Sequence, residues 1–324
     1  MQYHYRLYGM RVTSDLAFLQ LPECQEPVPQ DKLKEEELPQ EVRIRKMTEE
    51  EEAGFLKEHG DCVCGSFLDT KESWLCNRTL KMCVERGRVI RYQIRQGGDP
   101  GAVRTYLLGF GMAMLALQQG KLAFHCSALV SPEGDALLIA GESGAGKSTL
   151  TAGLLKRGWR FLADDMAVVE ITEKSGAWVY PAFPYMKLCR DAASGQGYAT
   201  EELVYIDEKK DKFLVPCIEV FQREKARVEG FVFLELQSEM EESEKEPGKI
   251  RAERITGPDS MLVYKNNLFL RHLWKKQDPG MEIWQNCLRM AGEVPVYSVK
   301  RPAAGDSTAE VAAEVHALRK AVSA

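Results

Sequence analysis

A short, wholly apolar run directly precedes an amphipathic stretch near the middle of the chain. Residues 136–140 carry no polar side chain, which predicts a strand buried on both faces of a largely parallel sheet. Residues 148–157 carry apolar side chains at helical spacing and stop at Gly158, a residue that favours the backbone conformation of a helix C-terminus. The pattern therefore predicts a strand, a turn and a helix in succession.

Alternation of apolar and polar positions is typical of the N-terminal third of the chain. Alternating segments, which predict strands, lie at 1–21, 42–45, 73–76, 80–84 and 89–94. The acidic run 49–52 predicts a solvated turn or the start of a helix. Together these segments predict a small, mostly antiparallel, β-rich domain over residues 1–100, which ends in the Gly- and Pro-rich cluster 96–101.

Residues 101–324 predict a second domain with mixed helices and strands. Strands are predicted at 122–130, 159–163, 166–169, 182–188, 213–216, 231–236, 250–255 and 294–299. Helices are predicted at 103–119, 260–274 and 309–322. Two segments rich in charge and poor in apolar residues, 22–39 and 238–249, predict loops.

The turn between the central strand and helix fits the phosphate-binding pattern G-x-x-x-x-G-K-[ST]. The pattern runs from Gly141 to Ser148 and has the required strand before it and helix after it. Its glycines let backbone N–H groups converge on a polyphosphate, and the helix N-terminus adds positive potential. Lys147 is predicted to reach the terminal phosphates, and the Ser148 hydroxyl to bind Mg²⁺. A glycine-rich turn without a ligand is the alternative.

A hairpin is predicted just before this loop. The turn 131–135 returns the strand 122–130 onto the strand 136–140. In a register centred on Glu133 and Gly134, Ser127 faces Ala140 and His125 falls opposite Glu142, which places the imidazole beside the loop. A histidine satisfied within the core is the alternative interpretation.

Two adjacent carboxylates end the next predicted strand. Asp164 and Asp165 follow the strand 159–163. The helix 148–157 leads from the central strand to this strand, and such a crossover makes the two strands parallel. Ligands of such sheets bind at the carboxyl ends of strands, so both carboxylates are predicted beside the loop. One carboxylate can hold Mg²⁺, directly or through water, while the other accepts a proton. A polar turn is the alternative.

Composition and charge limit the classes of partner. The chain of 324 residues is 44% hydrophobic and 28% charged, with a formal net charge of −5, so a nucleic-acid partner is not expected. The N-terminus lacks the pattern of a secretory signal, and the apolar run 106–117 is too short to span a bilayer. A cytoplasmic location without a membrane partner is therefore predicted. Nine scattered cysteines predict reduced thiols, and the spacing of Cys62 and Cys64 does not suit zinc.

The segment from His125 through the phosphate-binding loop to Ala163-Asp164-Asp165 resembles the catalytic core of the HPr serine kinase/phosphorylase superfamily. That fold is related to ATP-dependent phosphoenolpyruvate carboxykinase. The layout of the whole chain is most similar to HPr-kinase-related kinases of peptide-modification clusters, including those that act on lasso-peptide precursors. The resemblance implies an α/β fold with a P-loop-containing HPr-kinase/phosphoenolpyruvate-carboxykinase-like core and a small β-rich N-terminal domain.

The resemblance also implies roles for individual residues. Asp165 matches the residue that accepts the hydroxyl proton, Lys147 the phosphate lysine, Ser148 the Mg²⁺ ligand, and His125 the histidine before the loop. Asp164 is then the carboxylate of the pair that is predicted to hold Mg²⁺. The residues implied in nucleotide binding are Gly141, Glu142, Ser143, Gly144, Ala145, Gly146, Lys147, Ser148 and Thr149. Thr149 stands where bifunctional members carry a glutamate, so phosphorylase activity is not expected. Arg190 is a candidate for a transition-state arginine.

The sequence thus predicts a kinase that uses ATP and Mg²⁺ and transfers the γ-phosphoryl group to a serine hydroxyl of a protein or peptide. A small-molecule kinase of the same fold is one alternative. A nucleotide-binding regulatory protein that has lost its catalytic activity is another. Because HPr kinases are hexamers, the resemblance also implies self-association.

Overall fold

The protein, seen in a computed structural model, forms two compact units. The structure describes residues 1–24, 40–142, 144–172, 176–195, 197–207, 211–237, 250–274, 280–302 and 307–322. Ser143, residues 25–39 of the first predicted loop and the predicted acidic loop 238–249 lie outside these residues. The first unit contains Met1–Ala123 and Phe269–Ile283, and the second contains Phe124–Leu268 and Trp284–Ala324. This division differs from the predicted boundary after residue 100.

The first unit is built on one sheet. Its strands are β1 (Tyr3–Leu7), β2 (Met10–Ser14), β3 (Glu41–Lys46), β4 (Gly65–Phe67), β5 (Glu72–Cys76), β6 (Leu80–Glu85) and β7 (Val89–Ile94). They lie in the order β1-β2-β3-β7-β6-β5-β4. The β2–β3 and β3–β7 pairs are parallel, and the other pairs are antiparallel. The predicted strands and the mostly antiparallel pairing are confirmed.

Three helices accompany this sheet, namely α1 (Glu49–His59), α2 (Pro100–Tyr106) and α3 (Met112–Gln118). The acidic run opens α1, where Thr48 and Glu51 form a capping box and the carboxylates suit the positive end of the helix dipole. A π-helical turn, Leu107–Gly111, joins α2 to α3. A Cβ on Gly111 would lie 3.2 Å from Ile90 Cδ1, so this helix packs closely on β7. That packing explains why the helix belongs to the first unit.

The same helical segment is apolar along its length. By length and composition, Pro100–Gln118 is a candidate membrane span, and 56% of its apolar window is buried inside the protein. Leu107, Leu108 and every residue from Met112 to Leu117 are buried. The helix predicted at 103–119 is confirmed, and most of its apolar residues are buried.

Glu51 provides a stability prediction for the first unit. Its carboxylate accepts hydrogen bonds from Arg45 at 2.6 and 2.7 Å and from Arg91 at 3.0 Å. Hydrogen bonding by Arg45 lowers the pKa of Glu51 far below its ordinary value of 4.5, against the opposing effect of burial. A lowered folded-state pKa contributes stability that is complete above the unfolded-state value and is lost as the pH falls below it.

We therefore expect Glu51→Gln to lower the free energy of unfolding at pH 7 by about 1–2 kcal/mol. The difference from the wild type should shrink as the pH falls below about 4.5, because the unfolded state of the wild type then binds a proton at Glu51 while the folded state keeps this carboxylate ionised. Urea unfolding at several pH values between about 3 and 7 measures both effects. Glu49→Gln, which changes an exposed carboxylate of the same helix turn, is the control. An equal loss for both variants at pH 7 would contradict the prediction.

The second unit contains most of the remaining elements. The strands that follow β7 are β8 (Leu122–Phe124), β9 (Ser127–Val130), β10 (Ala136–Gly141), β11 (Arg160–Ala163), β12 (Ala167–Thr172), β13 (Gly176–Val179), β14 (Tyr185–Cys189), β15 (Val204–Asp207), β16 (Lys212–Pro216), β17 (Ala226–Leu236), β18 (Arg251–Ile255) and β19 (Val296–Arg301). The helices are α4 (Lys147–Leu155), α5 (Arg190–Gly195), α6 (Pro258–Asn266), α7 (Met281–Glu293) and α8 (Thr308–Val322). Short 3₁₀ turns lie at Thr200–Glu202 and Arg271–Leu273.

The large sheet of this unit is mixed, which corrects the prediction of a largely parallel sheet. Its strands follow the order β11-β9-β10-β17-β13-β12, with β19 also beside β17 and β18 beside β19. Parallel pairing joins β10 to β17 and β17 to β19. The strands β9, β13 and β18 run antiparallel to their neighbours, and a tight turn returns the chain between β9 and β10.

The direction of β11 decides where its carboxyl end lies. Strand β9 separates β11 from β10 and is antiparallel to both, so β10 and β11 run in the same direction. Helix α4 connects β10 to β11 along the chain. The predicted crossover is confirmed, and the strands end at the same edge of the sheet.

The hairpin before the loop has a different register from the one predicted. Ser127 lies opposite Ile139 rather than Ala140. The turn is centred on Glu133, where Ser131 N donates to Asp135 O at 2.8 Å, so the pairing shifts by one residue. The predicted strand 122–130 is also divided, because His125 N donates to Asn267 O at 2.8 Å and the chain turns between β8 and β9.

Candidate active site

The predicted phosphate-binding loop joins β10 to α4. Gly141 ends β10 with φ 148°, and a Cβ there would lie 2.3 Å from the Leu234 carbonyl oxygen of β17. Gly144 and Gly146 have φ values of 86° and 96°, and Gly146 is the N-cap of α4. Only glycine adopts these conformations at low cost. The loop backbone thus requires its glycines, as the pattern predicted.

Gly141 and Gly144 form a matched pair for a test of this backbone. We expect Gly141→Ala to destabilise the second unit by more than about 2 kcal/mol, because the new Cβ collides with a backbone oxygen. Gly144→Ala should cost only about 1–2 kcal/mol, since its φ is unfavourable but no atom lies within 4 Å of the new Cβ. Urea unfolding of both variants measures the difference. Equal losses would show that the close approach of β10 to β17 is unimportant.

Lys147 lies in the first turn of α4 and folds back onto the loop. Its Nζ donates to the carbonyl oxygens of Gly141 at 2.6 Å and Glu142 at 3.0 Å. Burial lowers the pKa of Lys147, and the positive charge of Lys212 lowers it further, while Asp164 and other negative groups oppose both effects. The ammonium group is therefore held inside the loop within electrostatic range of the carboxylates.

Arg301, at the end of β19, supports the loop from another part of the chain. Its Nε donates to Ala145 O at 2.8 Å, and its Nη2 lies 3.4 Å from Gly144 O. The guanidinium group of Arg301 thus binds two backbone carbonyl oxygens of the loop. This contact was not predictable from local sequence patterns, since 156 residues separate Arg301 from Ala145.

A cavity of about 300 Å³ lies beside the loop and Arg301. Its lining residues are Gly146, Thr149, Leu150, Arg301, Ser307, Thr308 and Val311. Ser307 Oγ is buried without a hydrogen-bond partner among the described residues. Thr149 is exposed, so the cavity is open next to the start of α4.

Asp164 follows β11 and is anchored at both carboxylate oxygens. Its Oδ1 accepts from Ser127 Oγ at 2.7 Å, and its Oδ2 accepts from the backbone N of Lys187 at 2.8 Å. These bonds tie the end of β11 to β9 and β14. The predicted position at the sheet edge is observed, and the contact with Ser127 was not predicted.

Asp165 has a backbone conformation that few residues adopt. Its φ is +66°, in the left-handed region that aspartate tolerates better than most side chains. Its carboxylate forms an ion pair with Lys187 Nζ at 2.7 Å. Burial by itself would raise the pKa of Asp165, but the charges of Lys187 and His125 and the hydrogen bond from Lys187 hold this pKa well below its usual range. Asp165 is therefore ionised at neutral pH.

His125 lies beside Asp165 rather than opposite Glu142. Its Nδ1 is 2.9 Å from the carbonyl oxygen of Asp165 and 3.7 Å from Oδ1 of the same residue. Because a carbonyl oxygen only accepts, Nδ1 carries the hydrogen. The side chain is 50% exposed, which differs from the alternative of a histidine buried in the core.

Two further basic residues, Lys187 and Arg190, form ion pairs with different aspartates. Lys187, on β14, pairs with Asp165, and sequence reasoning did not identify it because it appeared as one polar position in an alternating strand. Arg190, the candidate for a transition-state arginine, pairs instead with Asp211 at 2.7 Å and lies 4.9 Å from the ring centre of Phe213. The structure therefore brings Lys187, and not Arg190, to the carboxylates.

Among the described residues, no group of three or more His, Cys, Asp or Glu side chains could hold a metal ion. All nine cysteines are free thiols. The hard oxygen donors at this site are the Ser148 hydroxyl and the Asp164 carboxylate, which suit Mg²⁺ rather than a soft metal.

Comparisons with known proteins add little at the level of sequence. No protein-family model matches the chain, and no curated protein matches it. Among solved structures it matches the HPr(Ser) kinase/phosphatase from Coxiella burnetii with 16% sequence identity and a TM-score of 0.30. The match covers 61% of this chain and 98% of that chain. A likeness this low supports no inference about activity. Any such inference rests on the residues of the site.

Proposed function

We propose that this protein is a kinase that uses ATP and Mg²⁺ and transfers the γ-phosphoryl group to a serine hydroxyl of a protein or peptide. The observation that supports it most is the meeting of a glycine loop bearing Lys147 with the carboxylates Asp164 and Asp165 at one edge of the sheet. Phosphoryl transfer needs a cation on the phosphates and a carboxylate for the hydroxyl proton. Both are present in one unit.

The loop suits a triphosphate. Gly144 has open space around the position of a Cβ, and Gly146 caps a helix whose N-terminal N–H groups attract anions. Lys147 would exchange its carbonyl partners Gly141 and Glu142 for phosphate oxygens, which are stronger acceptors. The cavity beside Gly146 and Thr149 would receive another part of the nucleotide.

The donors also fit a magnesium ion. Ser148 and Asp164 would hold it, and an ionised carboxylate still has lone pairs after accepting one hydrogen bond at each oxygen. Mg²⁺ keeps several waters and phosphate oxygens as ligands, so two protein donors suffice. When bound, the ion would neutralise charge on the phosphate oxygens.

Asp165 would accept the proton from the acceptor hydroxyl. In the transfer, the bond from the γ-phosphorus to the bridging oxygen breaks, a bond to the serine oxygen forms, and ADP leaves. Because Lys187 and His125 keep Asp165 ionised, it can orient the hydroxyl and receive its proton. A strong base is unnecessary, since the transition state is largely dissociative.

The acceptor class follows from the resemblance of the motifs and stays a prediction. A serine in a peptide encoded near the gene, or in a small protein similar to HPr, is the proposed acceptor. Self-association and a cytoplasmic location are proposed on the same ground.

Intact-mass spectrometry of candidate acceptors after incubation with Mg-ATP tests the proposal. The wild type should add the mass of one phosphoryl group to a peptide or protein acceptor, and chelation of Mg²⁺ should abolish the gain. Lys147→Ala and Asp165→Asn serve as the inactive references. A mass gain on small hydroxyl compounds alone would show that the acceptor is a small molecule and not a protein or peptide. Tight ATP binding without any transfer would contradict the proposed kinase activity.

A further inference from the structure

The strands β14, β16 and β15 form a separate three-stranded sheet that carries two lysines on one face. In the β14–β16 register, Lys187 lies opposite Leu214, and Cys189 lies opposite Lys212. Residues two apart on a strand share a face, so Lys187 and Lys212 are diagonal neighbours on the same face. Lys187 reaches Asp165 at 2.7 Å, which shows that this face is turned toward the carboxylates.

Lys212 differs from Lys187 in its contacts. Among the described residues, none forms an ion pair or a hydrogen bond with the Lys212 side chain, which is half-buried. Its charge nevertheless acts on both sides of the site, since it contributes to the lowered pKa of Lys147 and to that of Asp165. The β14–β16 register agrees with this effect, since it places Lys212 beside Lys187 on the face that reaches Asp165.

Lys212 lies among the charged groups of the site but forms no ion pair with a described carboxylate. Asp165 is neutralised by Lys187, and Asp164 lies within electrostatic range of Lys147. Lys212 is a third cation, placed near a second lysine and away from bulk water on one side. A half-buried ammonium group that forms no ion pair with the described residues can bind an anion without first breaking such a contact.

We propose that Lys212 binds the phosphoryl group while it is transferred, from the side of the small sheet, whereas Lys147 binds the nucleotide phosphates from the loop. This inference rests on the proposed kinase function. Arg190 does not compete for the role, because it stacks on Phe213, whose side chain points to the opposite face of β16 from Lys212, and it pairs with Asp211.

Trapping of MgADP with fluoroaluminate tests the proposal without knowledge of the acceptor. Fluoroaluminate mimics the transferring phosphoryl group next to ADP. We expect the wild type to retain labelled ADP through gel filtration only when fluoroaluminate is present, and Lys212→Met to bind the mimic about 100-fold more weakly. Affinity for MgADP alone should change less than about threefold, because the loop is intact.

Three variants make the result decisive. Lys212→Arg keeps the charge and should retain trapping within about tenfold of the wild type. Lys225→Met, which changes a lysine that contacts Trp178 and Tyr180 in the same unit, should behave as the wild type. Equal trapping by wild type and Lys212→Met would overturn the proposal, as would a wild type that binds MgADP but not the mimic.

The same experiment separates this inference from the proposed function. If the wild type binds the mimic through Lys212 but phosphorylates no serine acceptor, the role of Lys212 is supported and the proposed acceptor class is wrong. A wild type that phosphorylates an acceptor while Lys212→Met is equally fast would retain the kinase and reject the role of Lys212.

Discussion

Asparagine at position 165 is expected to slow phosphoryl transfer by about 100- to 10,000-fold. The substitution keeps the shape of the side chain but removes the group that would accept the hydroxyl proton. Affinity for MgATP should change only a few-fold, since Asp165 is not among the predicted triphosphate contacts. Initial rates with an acceptor that the wild type phosphorylates measure the first effect. Equilibrium binding of a nucleotide analogue measures the second.

The ion pair between Asp165 and Lys187 gives the same substitution a structural consequence. Asp165→Asn leaves the ammonium of Lys187, which is 18% exposed, without its 2.7 Å partner. Removal of one partner of a partly buried pair costs about 1–3 kcal/mol. Lys187→Met and the double variant complete a double-mutant cycle in urea unfolding, and we expect the double variant to be more stable than the sum of the single losses predicts.

Asp259→Asn is the matched control, because Asp259 is an exposed carboxylate of the same unit. It should change neither the rate nor the free energy of unfolding by a measurable amount. If Asp165→Asn transferred phosphate as fast as this control, the role of Asp165 as proton acceptor would be wrong. Additive losses in the cycle would instead show that Lys187 contributes nothing through Asp165.

Lys147→Ala is expected to lower phosphoryl transfer by at least about 1,000-fold and to weaken MgATP binding by about 10- to 100-fold. Alanine removes the cation from the phosphates, where charge develops during transfer. It also removes two hydrogen bonds to the Gly141 and Glu142 carbonyls, so some loss of loop order accompanies the loss of charge.

Binding of adenosine distinguishes these two effects. Adenosine carries no phosphate, so its affinity should be the same for the wild type and Lys147→Ala. Lys156→Ala, which changes an exposed lysine at the other end of α4, should resemble the wild type in every assay. If adenosine and MgATP weakened equally in Lys147→Ala, the residue would support the fold of the loop and not bind the phosphates.

Much of the local structure was predictable because local signals are strong where several agree. The apolar run at β10, the glycines of the loop and the apolar spacing of α4 all indicate the same strand, turn and helix. Helix α7 was missed, although Ile283, Cys287 and Met290 are buried at helical spacing. The helix predicted over 260–274 ends at Asn266 in α6.

Long-range pairing was less predictable, since strand order depends on contacts between distant segments. The mixed pairing around β17 contradicted the expected parallel sheet, and a turn centred on Glu133 shifted the β9–β10 register by one residue. The division into two units differs from the predicted boundary for the same reason. The apolar residues of the helix predicted at 103–119 indicate that it is buried, but they do not indicate which sheet it packs against.

By itself the sequence determined which residue types the candidate site contains: the glycines and Lys147 of the loop, and two aspartates at a strand end. These depend on neighbours in the chain, where backbone conformation and side-chain periodicity are set. Only the tertiary structure decided that Lys187 pairs with Asp165, that Arg301 holds the loop and that Lys212 forms no ion pair with any residue that the structure describes. Those contacts join segments far apart in the chain, and only the packing of separate strands sets the distances between their charges.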